Sequence, residues 1–333
     1  MKGKCIIIMG PTGVGKSALA LFLAHRLGGE IISADAIQVY EGLQIGTAKP
    51  SSQELAAVHH HLVDILEPDQ RFSAGEFMKL ALRAIKEIRG RNKVPIIVGG
   101  TGLYIKALLK GLFQLSPRDI VLRKRMEKLC DKKGLPYMRR MLKRIDPESY
   151  GRIGENDRQR ILRALEIYFT TKKTMSQHLK ENPFAENKLP AIKIGLILPR
   201  AELYKRINER VERMLASGWI EEVEDLLQRG YLPQCHAFKA LGYREIIGFL
   251  NGEYPAERLK ELIQQNTRRY AKRQLTWLRK EEGLNWFSLG KNPKEVFQRI
   301  AYFIENRLGE KKTNQLKGKF YEHEARKLTG CLS

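Results

Sequence analysis

The residues with the clearest chemical potential form a glycine-rich run near the start of the chain. Gly10-Pro11-Thr12-Gly13-Val14-Gly15-Lys16-Ser17 matches the phosphate-binding pattern G-x-x-x-x-G-K-[ST]. In that pattern the glycines let backbone N–H groups surround an anion, the lysine adds a positive charge, and the Ser17 hydroxyl suits Mg²⁺. A chance glycine turn is the alternative, but a strand-like run precedes the motif and a helical pattern follows it. The run therefore predicts a phosphate or diphosphate site with Mg²⁺ at Ser17.

Two further polar residues follow apolar, strand-like runs. Asp35 comes directly after residues 30–34, and from spacing alone it could be a metal carboxylate, a general base or a structural cap. Thr101 lies in the turn Gly99-Gly100-Thr101-Gly102, where it either faces a ligand or caps the next helix. Because an open parallel sheet binds ligands at the carboxyl ends of its strands, we expect both residues near the phosphate loop.

These motifs require a sheet to position them. Alternating strand and helix patterns predict an α/β fold, a P-loop NTPase-like parallel sheet with helices on both faces and a helical insertion domain. The predicted strands are Lys4–Met9, Glu30–Ala34, Val94–Val98 and Lys193–Leu198, and the predicted early helices are Ser17–Leu27 and Phe72–Arg89. The predicted divisions are a first part of the core at 1–117, the insertion at 118–190, a returning strand with C-terminal helices at 191–308, and a polar tail at 309–333.

The charge of the chain indicates a polyanionic partner. The formal net charge is +23, and residues 118–190 hold 19 Lys and Arg against 10 Asp and Glu, a net +9. Nucleic acid is the expected partner, an anionic membrane surface also fits the charge, and a merely soluble basic surface is the alternative. The four cysteines lack zinc or disulfide spacing, and no apolar run is long enough to cross a membrane. A reduced, cytoplasmic setting without membrane contact is therefore expected.

Taken together, the motifs resemble the bacterial tRNA dimethylallyltransferase (tRNA isopentenyltransferase) family. The matching runs are GPTGVGKS at 10–17, SADAIQVYEGLQIGTAKP at 33–50, HHLVDI at 60–65, SAGEF at 73–77, GGTGLY at 99–104, NDRQRILRALE at 156–166, ALGYRE at 240–245 and TRRYAKRQLTWLR at 267–279. The resemblance implies an enzyme that transfers the dimethylallyl group of dimethylallyl diphosphate to N6 of adenosine 37, in the anticodon loop of tRNA. It also implies Mg²⁺ as cofactor and a monomer.

The resemblance assigns roles to individual residues. Asp35 matches the family's general base, while Thr12 and Thr101 match residues close to the donor and the target base. Lys16 and an arginine would stabilise the leaving diphosphate. That arginine is expected to be Arg206, with Arg210, one helical turn later, as the alternative. The predicted catalytic set is thus Asp35, Thr101, Lys16 and Arg206.

The same resemblance predicts a set of RNA contacts. The residues expected to bind tRNA are Asp35, Ala36, Ile37, Gln38, Thr101, Gln159, Arg160, Ile161, Leu162, Arg163, Lys239, Ala240, Leu241, Gly242, Tyr243, Arg244, Arg268, Lys272 and Arg273. On the predicted helix 267–280, basic residues flank an apolar stripe, which fits phosphate contact but also an ordinary solvated face. The run His59-His60-His61 could suggest a metal, but neighbours on an extended segment point to alternate sides, so a metal role is not expected.

Three other functions fit parts of the pattern. A small-metabolite kinase would need ATP and would not explain the basic insertion. A nucleic-acid-stimulated ATPase usually has a Mg²⁺-binding carboxylate at the end of an apolar strand, whereas Val94–Val98 ends in glycine. A non-catalytic RNA-binding protein would not need intact Lys16, Ser17 and Asp35.

Overall fold

The computed structural model of the protein describes residues 3–111, 119–181, 189–290 and 292–309. Its strands are β1 (Cys5–Met9), β2 (Gly29–Ser33), β3 (His60–His61), β4 (Val94–Gly99), β5 (Ala191–Ile197) and β6 (Asn285–Ser288). Its α-helices are α1 (Lys16–Leu27), α2 (Ser52–Ala57), α3 (Ala74–Gly90), α4 (Gly102–Lys110), α5 (Ile120–Lys133), α6 (Leu135–Ile145), α7 (Pro147–Arg152), α8 (Arg158–Thr171), α9 (Met175–Glu181), α10 (Arg200–Ala216), α11 (Trp219–Gln228), α12 (Tyr243–Leu250), α13 (Ala256–Leu278) and α14 (Pro293–Leu308). The predicted tail 309–333 lies outside the described residues after Gly309.

The six strands form one parallel sheet in the order β3-β2-β4-β1-β5-β6. The connections β1-α1-β2 and β3-α3-β4 run across the sheet in opposite directions. Because such crossovers are right-handed, α1 and α3 cover opposite faces. The predicted α/β class, with a P-loop-like parallel sheet and helices on both faces, is confirmed.

Apolar runs explain why the central strands are buried on both sides. Ile6 and Ile8 of β1 pack in one core with Leu19 and Leu23 of α1, while Ile7, which points the other way, is equally inaccessible to solvent. The sequence of a strand that is covered on both faces is a continuous run of apolar, often β-branched residues, and β1 has such a sequence. This packing fixes the carboxyl edge of the sheet, where the phosphate loop, Asp35 and the glycine turn follow β1, β2 and β4.

The chain divides into two compact units, one comprising Met1–Leu108 and Leu189–Ser333 and the other Leu109–Lys188. Within the described residues the second unit is entirely helical, from α5 to α9, and it has its own apolar core. Asp146 holds this unit together by accepting hydrogen bonds from the backbone N–H groups of Ser149 and Ser176, at the starts of α7 and α9.

Some predicted elements differ from the observed ones. The short edge strands β3 and β6 were not predicted, since two and four residues carry too little periodicity. The helix expected at 267–280 begins earlier, at Ala256, behind Pro255. Among the residues that the structure describes, no helix is both long and apolar enough for a membrane span.

Candidate active site

The glycine run forms a phosphate loop between β1 and α1. Gly13 and Gly15 have φ angles of +80° and +104°, which side-chain-bearing residues rarely adopt, and Gly15 is the N-cap of α1. The Lys16 ammonium folds back over the loop and donates a hydrogen bond to the Pro11 carbonyl at 2.9 Å. The backbone conformation needed to surround an anion is therefore present, with the positive end of α1 directed into it.

Lys16 lies in an unusual electrostatic setting. Burial and the nearby Arg210 guanidinium lower its pKa to about 8, and the negative charge of Asp35 partly opposes them. An amine with this pKa is mostly protonated at neutral pH. Because burial removes water from around the ammonium, a bound anion would stabilise its charge. The position therefore suits a diphosphate ligand.

Asp35 follows β2 and fixes the turn that contains it. Its Oδ1 accepts hydrogen bonds from the backbone N–H groups of Ile37, at 2.9 Å, and Gln38, at 3.4 Å. Within the described part of the chain, Oδ2 accepts no hydrogen bond. Asp35 thus acts as a local cap through Oδ1, which is one of the three roles left open by the sequence.

Two neighbouring cavities meet at this loop. The P-loop cavity, of about 420 Å³, is lined by Lys16, Ser17 and Arg206. The Asp35 cavity, of about 360 Å³, contains Asp35 and Thr12. Arg210 lines both cavities, so a molecule extending from one to the other would pass this guanidinium.

Helix α10 supplies a cationic wall to the P-loop cavity. Arg206, Arg210 and Arg213 lie four and three residues apart, which places them on one helical face, and all three line the cavity. Arg206 donates a 2.6 Å hydrogen bond to Glu202. The pKa of Arg210 is lowered by burial and held up by Asp35. Arg210 is therefore better placed than Arg206 to bind an anion between the cavities, while both remain candidates.

The glycine turn after β4 is held from two sides. A Cβ atom at Gly99 would lie 2.2 Å from the carbonyl oxygen of Ala34, so this turn packs directly against the residue before Asp35. The other side faces α13, where the Tyr270 hydroxyl neighbours the Thr101 side chain. Thr101 also accepts a backbone hydrogen bond from the Tyr104 N–H at the start of α4. Thr101 therefore begins α4 and lies beside Tyr270, which lines the Asp35 cavity.

The wall of the Asp35 cavity contains many of the residues predicted to contact RNA. Those that line it are Asp35, Ala36, Ile37, Lys239, Ala240, Leu241, Tyr243 and Arg273. Gln38 instead lines the P-loop cavity. Trp219 forms part of the wall by packing against Gly46 and Gly242, where an added Cβ would lie within 2.1 Å and 2.0 Å of its indole. Three segments distant in sequence therefore converge around one concave, partly aromatic space.

Glu222 fixes the loop that closes this wall. Its carboxylate accepts hydrogen bonds from the backbone N–H groups of Gln44 and Ile45, at 2.8 and 2.7 Å, and from the Tyr243 hydroxyl at 2.7 Å. Tyr243 is fully buried, so it supports the wall through its ring rather than through a free hydroxyl.

The predicted contacts on α8 must be corrected at two positions. Ile161 and Leu162 are completely buried in the core of the helical unit, so their side chains are unavailable to RNA. Apolar residues at this spacing form the inner face of an amphipathic helix. Arg160, with 72% of its side chain exposed, lies on the outer face, whereas Arg163 is paired with the buried Glu166. Gln159 accepts a hydrogen bond from Arg123.

The remaining predicted contacts lie on α12 and α13. Arg244 is exposed and bonded to Glu245, and Arg268 donates to the Asn208 side chain at 2.6 Å. Lys272 is exposed, and the Arg273 guanidinium lies 5.7 Å from the centre of the Tyr270 ring. A basic outer face does accompany an apolar stripe, since Ala271 and Leu278 are buried.

The histidine run belongs to a different charged cluster. His59 and His61 lie on the same side with Glu30, and the ligand atoms of the three residues are within 4.8 Å of one another. The Glu30 carboxylate is already bonded to Arg91 at 2.7 Å and to Lys93 at 3.0 Å. These two cations neutralise the carboxylate and would repel a metal ion, so we interpret the cluster as an ion-pair network.

Sequence reasoning missed several residues that border the site, namely Arg213, Trp219, Tyr270 and Gln274. Arg213 could have been found from its helical spacing to Arg206 and Arg210. The other three had no such signal, because isolated Trp, Tyr and Gln residues in helical segments are usually ordinary packing residues.

Comparisons with known proteins match this geometry to one family. The family model described as IPP transferase matches residues 38–281. The tRNA dimethylallyltransferase of Geobacter sulfurreducens is 46% identical over 285 residues, which cover 86% of this chain and 92% of that protein. The crystal structure of the full-length tRNA isopentenylpyrophosphate transferase from Bacillus halodurans is similar, with a TM-score of 0.69, 36% identity and coverage of 99% of this chain and 100% of that one. A eukaryotic dimethylallyltransferase acting on tRNA has a TM-score of 0.81 at 27% identity, covering 94% and 81% of the two chains.

Proposed function

This chain belongs to the IPP transferase family, and from that premise we propose that it transfers a dimethylallyl group from dimethylallyl diphosphate to N6 of adenosine 37 in tRNA. The products are N6-isopentenyladenosine and diphosphate. One structural observation supports the proposal most directly: a cationic phosphate loop and a carboxylate with an available oxygen lie in two cavities that share Arg210. That arrangement suits a reaction between an anionic leaving group and a nucleophile that must lose a proton.

The P-loop cavity receives the diphosphate of the donor. Backbone N–H groups of the loop, the Lys16 ammonium and the Arg210 guanidinium stabilise the negative charge that grows on the leaving oxygen. Stabilisation at this place accelerates the reaction because the charge is larger in the transition state than in the bound donor. Thr12, also in the loop, borders the Asp35 cavity, and in this arrangement it would orient the reacting end of the donor.

The Asp35 cavity receives the adenine. As the N6 lone pair forms a bond to C1 of the dimethylallyl group, the C1–O bond breaks and its electron pair leaves with the diphosphate. The amine proton passes to Oδ2 of Asp35, whose Oδ1 remains bonded to the Ile37 and Gln38 N–H groups. Thr101 stays beside this exchange through the turn that packs against Ala34.

The residues present also fit a bound Mg²⁺. Ser17 offers a hydroxyl oxygen to the P-loop cavity at the start of α1, and Mg²⁺ is commonly held by few protein oxygens together with substrate phosphate oxygens and water. When bound, the ion would neutralise part of the diphosphate charge. Lys16 and Arg210, which also line this cavity, would contact phosphate oxygens of the donor directly.

Adenosine 37 lies next to the anticodon, so it must leave its stack to enter the Asp35 cavity. Tyr270, which is partly exposed, gives that cavity an aromatic wall suited to a planar base, and the buried Trp219 and Tyr243 support the wall from behind. The exposed basic residues Arg160, Lys272 and Arg244 are available for phosphate contacts elsewhere on the RNA. We propose the cytoplasm, where tRNA is available, as the site of action.

One assay tests the whole proposal. The protein is incubated with Mg²⁺, radiolabelled dimethylallyl diphosphate and an unmodified tRNA transcript, next to a matched transcript with guanosine at position 37. Label should enter the adenosine transcript and not the guanosine transcript, with release of one diphosphate per transfer. A parallel reaction also contains ATP. Turnover of ATP there without label transfer, or equal labelling of both transcripts, would refute the proposal.

A further inference from the structure

Gln274 connects two loops of the site that are far apart in sequence. Its side chain, on α13, is only 7% exposed. The amide oxygen accepts a 2.8 Å hydrogen bond from the Thr12 N–H of the phosphate loop. The amide nitrogen donates a 3.0 Å hydrogen bond to the Gly100 carbonyl in the turn after β4. Both ends of one planar amide are therefore used, each on backbone of a different loop.

The surrounding contacts leave this amide little freedom. A Cβ atom at Gly100 would lie 2.1 Å from Gln274 Nε2, so the turn approaches the amide as closely as glycine permits. Three residues further along α13, the Trp277 indole packs against Gly102, where an added Cβ would lie 2.5 Å from the ring. One turn earlier, the Tyr270 hydroxyl neighbours the Thr101 side chain. Residues 270, 274 and 277 share a helical face, so α13 presents a continuous surface to the turn 99–102.

Glutamine is the residue type that this position requires. A backbone N–H needs an acceptor and a backbone carbonyl needs a donor, and a neutral side-chain amide supplies both at once. An ionised carboxylate would accept the hydrogen bond from the Thr12 N–H, but its second oxygen would face the Gly100 carbonyl oxygen, and neither of these two oxygens can donate. An apolar side chain of the same length would satisfy neither group.

We propose that Gln274 is a positioning residue that holds the phosphate loop and the Thr101 turn at a fixed separation, and thereby aligns the donor with the acceptor base. The inference rests on the proposed transfer reaction, because the two loops serve the donor and the acceptor only in that reaction. A small change in their separation would misalign C1 of the donor and N6 of adenosine, and reactions between bound partners are sensitive to shifts of about 1 Å.

The docking of α13 does not depend on this amide. Leu259, Ile263, Ala271 and Leu278 anchor the helix through buried apolar contacts. A Gln274→Met variant, which keeps the side-chain length, is therefore expected to fold. Gln265→Met is a matched control, since Gln265 is an exposed glutamine on the same helix.

The first experiment compares these two variants by single-turnover kinetics at saturating donor and tRNA. Gln274→Met should lower the transfer rate constant at least tenfold, while the Kd values for donor and for tRNA, each measured separately by calorimetry, stay within threefold of wild type. Gln265→Met should stay within twofold in all three quantities. A Gln274→Met rate within twofold of wild type would overturn the inference. So would a loss that is matched by the unfolded fraction in a thermal melt.

A second variant gives a pH readout that a purely structural role would not produce. In Gln274→Glu, the protonated side chain offers one O–H donor and one carbonyl acceptor, much as glutamine does. The ionised side chain has no donor for the Gly100 carbonyl. The ratio of its rate to the wild-type rate should therefore rise severalfold as the pH falls from 8 to 6. A ratio that is constant over this range would overturn the inference, whereas absence of transfer by wild type would instead reject the proposed function.

Discussion

Raising the pH from 7 to 9 should weaken donor binding by removing the charge of one lysine. Burial, followed by the nearby Arg210, lowers the pKa of Lys16 to about 8, even though Asp35 acts in the opposite direction. Below this pKa the ammonium is present and attracts the donor diphosphate. Above it the amine is neutral and contributes no charge, so affinity falls as the pH rises.

The size of the effect follows from the pKa. If only the form with protonated Lys16 binds the donor, the observed Kd equals the Kd of that form multiplied by 1 + 10^(pH − pKa). For a pKa of about 8, the factor is roughly 1.1 at pH 7 and roughly 11 at pH 9, a tenfold loss that corresponds to about 1.4 kcal/mol. A lysine with the ordinary value of 10.5 would change the Kd by less than about 1.1-fold over the same range.

Calorimetry of dimethylallyl diphosphate binding without tRNA measures this directly, since no acceptor is present to consume the donor. Lys16→Arg provides the control, because a guanidinium stays charged throughout the range and its Kd should not depend on pH. A wild-type Kd that is constant between pH 7 and 9 would refute the assignment. An equal slope in Lys16→Arg would show that another group titrates.

Three other changes test the remaining roles. Asp35→Asn keeps a hydrogen-bond acceptor for its turn but cannot take a proton. The single-turnover transfer rate should therefore fall about 10²-fold or more, while the donor and tRNA affinities stay within threefold of wild type. A rate near wild type would reject the base assignment. Arg210→Gln should raise the donor Kd about tenfold or more at pH 7, because it removes a charge-assisted contact. Arg206→Gln should raise the Kd less than threefold, because Arg206 is already bonded to Glu202. If calorimetry shows the reverse order, Arg206 is the diphosphate ligand. Burial alone would raise the pKa of Glu30, but hydrogen bonds from Arg91, His61 and Lys93 lower it to about 2. Glu30→Gln should therefore lower the free energy of unfolding by about 3 kcal/mol at pH 7, and this difference from wild type should vanish as the pH falls from about 4.5 towards 2. Urea unfolding that shows a pH-independent difference would contradict the ion-pair interpretation.

The sheet and its loops were predictable because their signals are local. The β-branched run before Gly10 predicted β1, and parallel strands by geometry place their following loops at one edge. This reasoning placed the phosphate loop, Asp35 and Thr101 together without any contact information. It could not find β3, whose two residues have no periodicity and owe their pairing to β2.

The parts that escaped prediction depend on how distant helices dock. Arg206 and Arg210 share a helical face, so the sequence could not tell which one reaches the shared boundary of the two cavities. Gln274 contacts Thr12 across 262 residues and Gly100 across 174 residues. Helical periodicity identifies an apolar stripe on α13, but it cannot reveal that one polar residue beside the stripe bonds to two loops.

The arrangement at the carboxyl edge explains how a phosphate loop can serve alkyl transfer. In nucleotide-hydrolysing relatives of this fold a carboxylate at the end of an apolar strand helps to hold Mg²⁺ for attack on a phosphate. Here β4, the neighbour of β1, ends in the glycine turn, and the Gly100 carbonyl is occupied by Gln274. The carboxylate stands instead at the end of β2, in the cavity with the aromatic walls. In the proposed reaction this carboxylate, which lies outside the phosphate pocket, takes a proton from an amine entering that cavity, and the diphosphate remains a leaving group.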